Sequence, residues 1–307
     1  MDIRIPGSIA NLGPGFDALS VAVQLYLRLR VIAIRPTEPD TIEWRFVGAG
    51  PTGENRIETA FRLAQQRAGI PTPGLLVQVE SDIPQTAGLG SSAAAAVAGL
   101  RLYEAVMPAA SASHQVDWLA LATELEGHPD NAAAALLGGI AVSCQQDDGR
   151  IVARSWPWPE ELRFVVATPD MPLQTAHARR VLPTEVPLRD AIYNLQRALL
   201  FVRALADGRY EDLREAMRDR WHQPARAPLV PGLAEAIAIE DAAVLGVSLS
   251  GAGPSIVALA TADGTERAAI VLRELYDRLK VTCTIRVLEA HQPNNRATGR
   301  PAYLENR

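Results

Sequence analysis

Apolar and polar residues alternate along several stretches of this chain, and elsewhere the apolar ones recur at helical spacing. Leu75 to Glu80, LLVQVE, alternates as a half-buried strand does. Ile42, Trp44 and Phe46 form a second such run, and Asp2 to Pro6 reads as a short strand leading into a loop over Gly7 to Asp17. Val21, Val23, Leu25, Leu27, Leu29 and Val31 predict a strand or hairpin over Val21 to Ile34. Asn55 to Gln66 is helical in pattern, with Ile57, Phe61 and Ala64 on one face and Gly69 beyond its end. Ala93 to Met107 is rich in alanine and leucine and meets a stop at Pro108. Trp118 to Glu126 predicts a further helix, stopped by Gly127. Asp130 or Asn131 is then placed as the N-cap of a short buried helix.

The pattern changes after Trp156-Pro157-Trp158-Pro159, the best candidate boundary in the chain. Before it, Ile140 to Cys144 and Ile151 to Arg154 flank Asp147-Asp148-Gly149, a hairpin turn. After it come a strand at Arg163 to Thr168 and a helix at Leu188 to Leu205. That helix carries Leu188, Ile192, Leu195, Leu199, Val202 and Leu205 on one stripe. Helices over Tyr210 to Trp221 and Leu233 to Ala243 follow. Two short strands, Val247 to Ser250 and Ile256 to Ala260, flank a glycine-proline turn. A helix at Glu266 to Leu279 and a strand at Val281 to Leu288 complete the pattern. His291 to Arg307 is polar and expected to be a frayed tail. Domains over residues 1–155 and 156–307 are the expectation.

Composition narrows the class. A chain of 307 residues, 48% hydrophobic and 21% charged, is ordinary for a soluble globular protein. A net charge of -5 argues against nucleic acid or an anionic membrane surface as the main partner. Two cysteines, Cys144 and Cys283, make no disulfide framework and suit a cytoplasmic setting. No stretch has the order of a signal peptide, and the longest apolar run, Ala87 to Leu100, is too short to span a bilayer.

Pro84 to Ala96, PQTAGLGSSAAAA, carries the first candidate chemistry. Gly88, Leu89, Gly90, Ser91, Ser92 and Ala93 stand where a glycine-rich loop opens a helix. The first helical amides have no internal partners and carry the positive end of the dipole, a setting that suits phosphate. Ser91 or Ser92 is a candidate cap, and a hydroxyl there can reach a phosphate-bound metal. A glycine-serine turn before an alanine-rich helix is also often no more than a cap. A dinucleotide fingerprint is disfavoured, because no Asp or Glu precedes Asp117 where the ribose-binding acid belongs. A Walker loop is excluded, because the one lysine, Lys280, lies far from any such turn. A nucleotide bound here relies on arginines, amides and metal.

Two further glycine-rich turns flank this one: Pro6-Gly7-Ser8-Ile9-Ala10-Asn11-Leu12-Gly13-Pro14-Gly15-Phe16-Asp17 and Leu249-Ser250-Gly251-Ala252-Gly253-Pro254-Ser255. With Glu126-Gly127-His128-Pro129-Asp130-Asn131, Thr175-Ala176-His177-Ala178-Arg179 and His222-Gln223-Pro224-Ala225-Arg226, they resemble the motifs of the GHMP small-molecule kinases, and among those the homoserine kinases. Ile9 and Gly7 depart from the residues usual there.

The resemblance implies an α+β fold: an N-terminal mixed α/β domain with the phosphate loop, and a C-terminal split βαβ, ferredoxin-like domain. It implies ATP-dependent phosphorylation of L-homoserine, with Mg²⁺, in threonine biosynthesis, and a homodimer as a common assembly. Pro84 and Gly88 to Ala93 would hold ATP; Ser92 and Glu126 the metal; Asn11, Asp17, Asn131, Thr175, Arg179 and Arg226 the amino acid. Asn131 would contact the reacting hydroxyl, with Asp130 as the rival general base. Gly251 and Gly253 would support the loop. The alternatives are a kinase of another small alcohol, such as threonine or an isoprenoid precursor, and a catalytically silent nucleotide sensor.

Overall fold

The computed structural model describes residues 1–51, 53–107 and 117–293. Pro108 and the tail beyond residue 293 lie outside the described residues. Two sheets organise the chain. The first contains β1 (Asp2–Ala10), β2 (Leu19–Arg35), β3 (Ile42–Phe46), β4 (Gly74–Ser81), β5 (Ile140–Gln145) and β6 (Ile151–Trp156). Its order is β3-β4-β2-β5-β6, with β1 also paired to β2. The second contains β7 (Leu162–Pro169), β8 (Gly246–Leu249), β9 (Ile256–Thr261) and β10 (Cys283–Leu288), in the order β10-β7-β9-β8. All its pairings are antiparallel, and its strands and helices follow the split βαβ sequence of a ferredoxin-like unit.

Helices α1 (Arg56–Ala68), α2 (Ser91–Val106), α3 (Trp118–Glu126) and α4 (Asp130–Leu137) pack with the first sheet. The second part carries α5 (Thr175–Arg180), α6 (Leu188–Asp207), α7 (Leu213–Ala216), α8 (His222–Arg226), α9 (Leu233–Ile237) and α10 (Thr265–Leu279). One hydrophobic core joins β1, β2, α1 and α2 to one face of the second sheet through Phe164, Val166, Val257 and Leu259. A second core, with Leu272 and Tyr276 of α10, covers the other face. Val23 and Ala290 form a bridge between chain segments, and Gly139 N donates to His291 O at 2.7 Å. His291 and Gln292 are therefore still bonded into the fold, inside the segment expected to be a tail.

Several expectations change. β1 runs on to Ala10, because residues Gly7 to Ala10 pair with Val23 to Ser20 beyond a bulge at Pro6/Gly7. β2 is one continuous strand rather than a hairpin. Neither Ser91 nor Ser92 caps α2: Gly90 takes that position in the left-handed region at φ 73°. Pro129, not Asp130 or Asn131, stands at the N-cap of α4, and Asp130 is its first helical residue. The helix expected over Tyr210 to Trp221 is broken, with Leu213–Ala216 its α-helical part. That expected from Leu233 ends at Ile237.

Candidate active site

The three glycine-rich turns meet one another, and each meeting is a hydrogen bond. Ser8 N of β1 donates to Leu89 O at 3.1 Å, and Ser250 Oγ donates to Gly88 O at 2.7 Å. Asn11 Nδ2 donates to Gly251 O at 3.0 Å, while Asn11 Oδ1 accepts from Asp17 N at 3.1 Å. The third glycine-rich turn thus braces the other two. The glycines are required by proximity. A Cβ on Gly88 would stand 2.4 Å from Ser250 O, and one on Gly90 2.1 Å from Ser8 Oγ.

A cavity of about 230 Å³ opens between these turns and the helices α5 and α8. At one end lies the start of α2. Its first internal bond is Ala94 N to Gly90 O at 2.9 Å, so the amides of Ser91, Ser92 and Ala93 precede the helical ladder. Ser92 Oγ donates to Glu126 Oε1 at 2.7 Å, which sets two hard oxygen donors side by side. Such a donor set fits Mg²⁺. Arg56, the first residue of α1, reaches the same carboxylate at 3.8 Å and lines the cavity.

The other end is built for opposite charges. Arg179 forks onto Asp17, with Nη2–Oδ1 at 2.7 Å and Nη1–Oδ2 at 3.0 Å. Arg226 is buried and donates through Nε to Ala178 O at 3.1 Å and through Nη1 to Gly251 O at 3.0 Å. The Phe16 ring lies near both guanidinium groups, 5.6 Å from that of Arg179 and 5.3 Å from that of Arg226. Burial, and after it the charge of Arg179, pushes Arg226 down to about 10, so it remains a cation at neutral pH. His222 supports it. Its Nε2 faces Gly13 O at 2.7 Å and its Nδ1 faces Arg226 Nη1 at 3.3 Å. A carbonyl on one side and a guanidinium donor on the other fix the neutral Nε2–H tautomer. Burial likewise holds this imidazole below its usual range.

Asp130 and Asn131 line the cavity between the two ends. Asp130 Oδ1 accepts from Asn131 N at 2.8 Å and faces His128 Nδ1 at 2.6 Å. Burial would push the His128 imidazole down, but the hydrogen bond and charge of Asp130 outweigh it and the net displacement is upward.

Of the residues expected from sequence, Asn11, Asp17, Gly88, Gly90, Ser91, Ser92, Ala93, Glu126, Asp130, Asn131, Thr175, Arg179, Arg226 and Gly251 line one cavity. Leu89 turns into the core, Gly253 packs beside Leu249, and Pro84 lies outside the lining. Sequence reasoning missed Phe16, Arg56, Thr86 and His128 as lining residues. Phe16 and His128 sit inside motifs already singled out, so their neighbours were the available signal. Arg56 carries none, since a first-turn arginine looks like any solvated one.

Residues 55–139 match the GHMP kinases N terminal domain, and residues 201–280 match the GHMP kinases C terminal domain. Fold and cleft together thus define a GHMP kinase. The homoserine kinase of Thermus thermophilus is 42% identical over 261 residues, 85% of this chain and 87% of that one. That of Nostoc sp. is 37% identical over 292 residues, 93% and 95% of the two chains. The crystal structure of homoserine kinase from Cytophaga hutchinsonii superposes with a TM-score of 0.79 at 26% identity, covering 95% of this chain and 96% of that one. The chain belongs to the homoserine kinase family.

Proposed function

We propose that this chain transfers the γ-phosphoryl group of ATP to the side-chain hydroxyl of L-homoserine, giving O-phospho-L-homoserine and ADP, a step of threonine biosynthesis. One observation carries the reading: a single cavity joins a helix-opening phosphate loop to a pocket holding both a carboxylate, Asp17, and two arginines, Arg179 and Arg226. An α-amino acid offers the matching pair, an ammonium for Asp17 and a carboxylate for the guanidinium groups. A mevalonate-type alcohol has no ammonium and would leave Asp17 unmatched. Asp17 and Arg179 pair with each other, and an amino acid's ammonium and carboxylate would exchange that one ion pair for two.

Phosphoryl transfer asks the protein mainly for position and charge. The amides of Ser91 to Ala93 and the Arg56 guanidinium receive the phosphates. Pro84 shapes the entry of the loop. Ser92 and Glu126 would hold Mg²⁺, which supplies charge neutralisation on the phosphates when bound. Thr175, Asn11 and the arginines fix the amino acid so that its hydroxyl reaches Asn131 and Asp130. Oδ1 of Asp130 is occupied by its neighbours, and Oδ2 is the oxygen available for the hydroxyl proton.

Residues 1–155 are read as the ATP-binding domain and residues 156–307 as the domain that completes the cleft. The division into two sheets supports this boundary. A cytoplasmic setting is supported by two unpaired cysteines, Cys144 and Cys283. No helix among the described residues is long and apolar enough to cross a membrane. The reading extends to a homodimer through the outer face of α6, where Leu188, Ile192, Leu195 and Leu199 are exposed.

The deciding experiment measures ADP release with ATP and Mg²⁺ on L-homoserine, L-threonine, L-serine and mevalonate. Turnover with homoserine is expected, and Glu126→Ala should abolish it. Turnover confined to another alcohol would replace the substrate. ATP binding without turnover on any of the four would point to a sensor instead.

A further inference from the structure

Ser8 belongs to the first glycine-rich motif, yet neither phosphate binding nor recognition of the amino acid uses it. It lies in β1 and is fully buried. Its Oγ donates to Asn131 Oδ1 at 2.7 Å, across 123 residues of sequence. On the other arm of the same amide, Asn131 Nδ2 lies 3.5 Å from Asp130 Oδ1. These two neighbours decide which way the amide points. A carboxylate oxygen attracts the NH₂ group and repels the carbonyl, so the carbonyl is left to accept from the serine hydroxyl. With the amide turned over, two oxygens would face each other between buried side chains.

We infer that Ser8 is a positioning residue. It pins the Asn131 carbonyl away from the substrate and leaves the Asn131 NH₂ to donate to the reacting hydroxyl oxygen. This rests on the reading that Asn131 meets that hydroxyl. It adds a direction to the contact. Asn131 holds the oxygen as a donor, turning a lone pair toward phosphorus, and cannot accept the hydroxyl proton. The proton must therefore pass to another acceptor, and Asp130, whose Oδ1 lies beside the same NH₂, is the neighbouring one.

Ser8 is also bonded to the phosphate loop. Its backbone N donates to Leu89 O at 3.1 Å, and its Oγ fills the space that a Cβ on Gly90 would need. The same residue therefore fixes the orientation of the nucleophile's partner and its distance from the phosphate loop. A serine suits the slot: it carries a donor and little bulk.

The test is a double-mutant cycle between Ser8→Ala and Asn131→Ala, with Ser8→Thr as the conservative variant, read as kcat and KM for both substrates. Ser8→Ala should lower kcat about tenfold, the effect of one lost hydrogen bond, and leave KM for ATP nearly unchanged. Ser8→Thr should restore much of the rate. In the Asn131→Ala background, Ser8→Ala should have no further effect. If Asn131→Ala cripples the enzyme while Ser8→Ala keeps full kcat, the role of Ser8 is overturned and that of Asn131 stands. Independent, multiplying losses in the double variant also overturn it. If Asn131→Ala is itself fully active, the underlying assignment of Asn131 falls. Should Ser8→Ala fail to fold, Ser8→Cys keeps the shape of the side chain with a larger atom and only a weak donor. A full kcat in that variant overturns the inference, and a tenfold loss supports it.

Discussion

Arg226 shows how burial and neighbours prepare a single residue to meet an anion. It is buried, held by two carbonyls, and still cationic. Its charge is kept because Asp17 and Asp219 lie nearby, while its planar fork is aimed by His222. Lysine would keep the charge and lose the fork. Arg226→Lys should therefore raise KM for homoserine by roughly ten- to a hundredfold, the effect of a lost charge-assisted bond, with KM for ATP little changed. Steady-state kinetics with each substrate varied in turn would show it. His222 gives a pH prediction. Its folded-state pKa lies below the usual 6.5, so the unfolded chain binds the proton more readily. Below about pH 6.5 the unfolded state gains protons first, and stability falls as pH falls through that window. Gln keeps an amide donor near the Nε2 position and does not titrate. Thermal melts from pH 7.5 to 5.5 should show a smaller acid-side loss for His222→Gln than for the wild type.

At the scale of elements, the periodic signals were legible and the caps were not. The edges of α1 follow from Asn55 and Gly69. Asn55 accepts from Ile57 N at 3.2 Å, and Gly69 is left-handed. The strands β3 and β4 and the β5–β6 hairpin follow equally from alternation and turn residues. The start of α2 did not, because local propensity favours a serine cap. What decided it was the third turn and β1 pressing on the loop, which leave room only for Gly90. The serine hydroxyl is thereby released, and Ser92 turns to Glu126. Gly90→Ala should then strain a left-handed residue and push Ser8 at once, costing about 1–3 kcal/mol of stability. Calorimetry should show the lower melting temperature, and titration with a nucleotide should show loss of binding.

Across the whole molecule, the outer face of α6 stands out. Leu188, Ile192, Leu195 and Leu199 repeat at intervals of four and three residues, and Val202, half-buried against the core, and exposed Ala206 follow at the same spacing. The inward face is carried instead by Asn194, Phe201, Ala204 and Leu205. A seam with that spacing fits another helix of the same spacing. An antiparallel second copy sets Leu195 beside Leu199 and Ile192 beside Val202. It also brings Glu185 and Arg189 of one copy toward Arg209 and Asp207 of the other, so the charges at the two ends complement each other. The wild type should run as a dimer in light scattering at micromolar concentration, and the pair Leu195→Glu, Leu199→Glu as a folded monomer. A monomeric wild type, or a dimer untouched by the double variant, would exclude this interface.

The sequence by itself determined the family, the two-part α+β plan and most of the cavity lining, because short motifs carry the glycines and charged groups that phosphate and amino acid require. It determined the long helices and paired strands too, since their periodicity is local. Only the tertiary structure decided how those residues act on one another. Asn11 to Gly251, Ser8 to Asn131 and Ser92 to Glu126 are contacts between distant segments. The orientation of the Asn131 amide, the tautomer of His222 and the cationic state of Arg226 all follow from neighbours brought there by the fold. Burial and charge act through distance in space, and no local pattern in the chain records that distance.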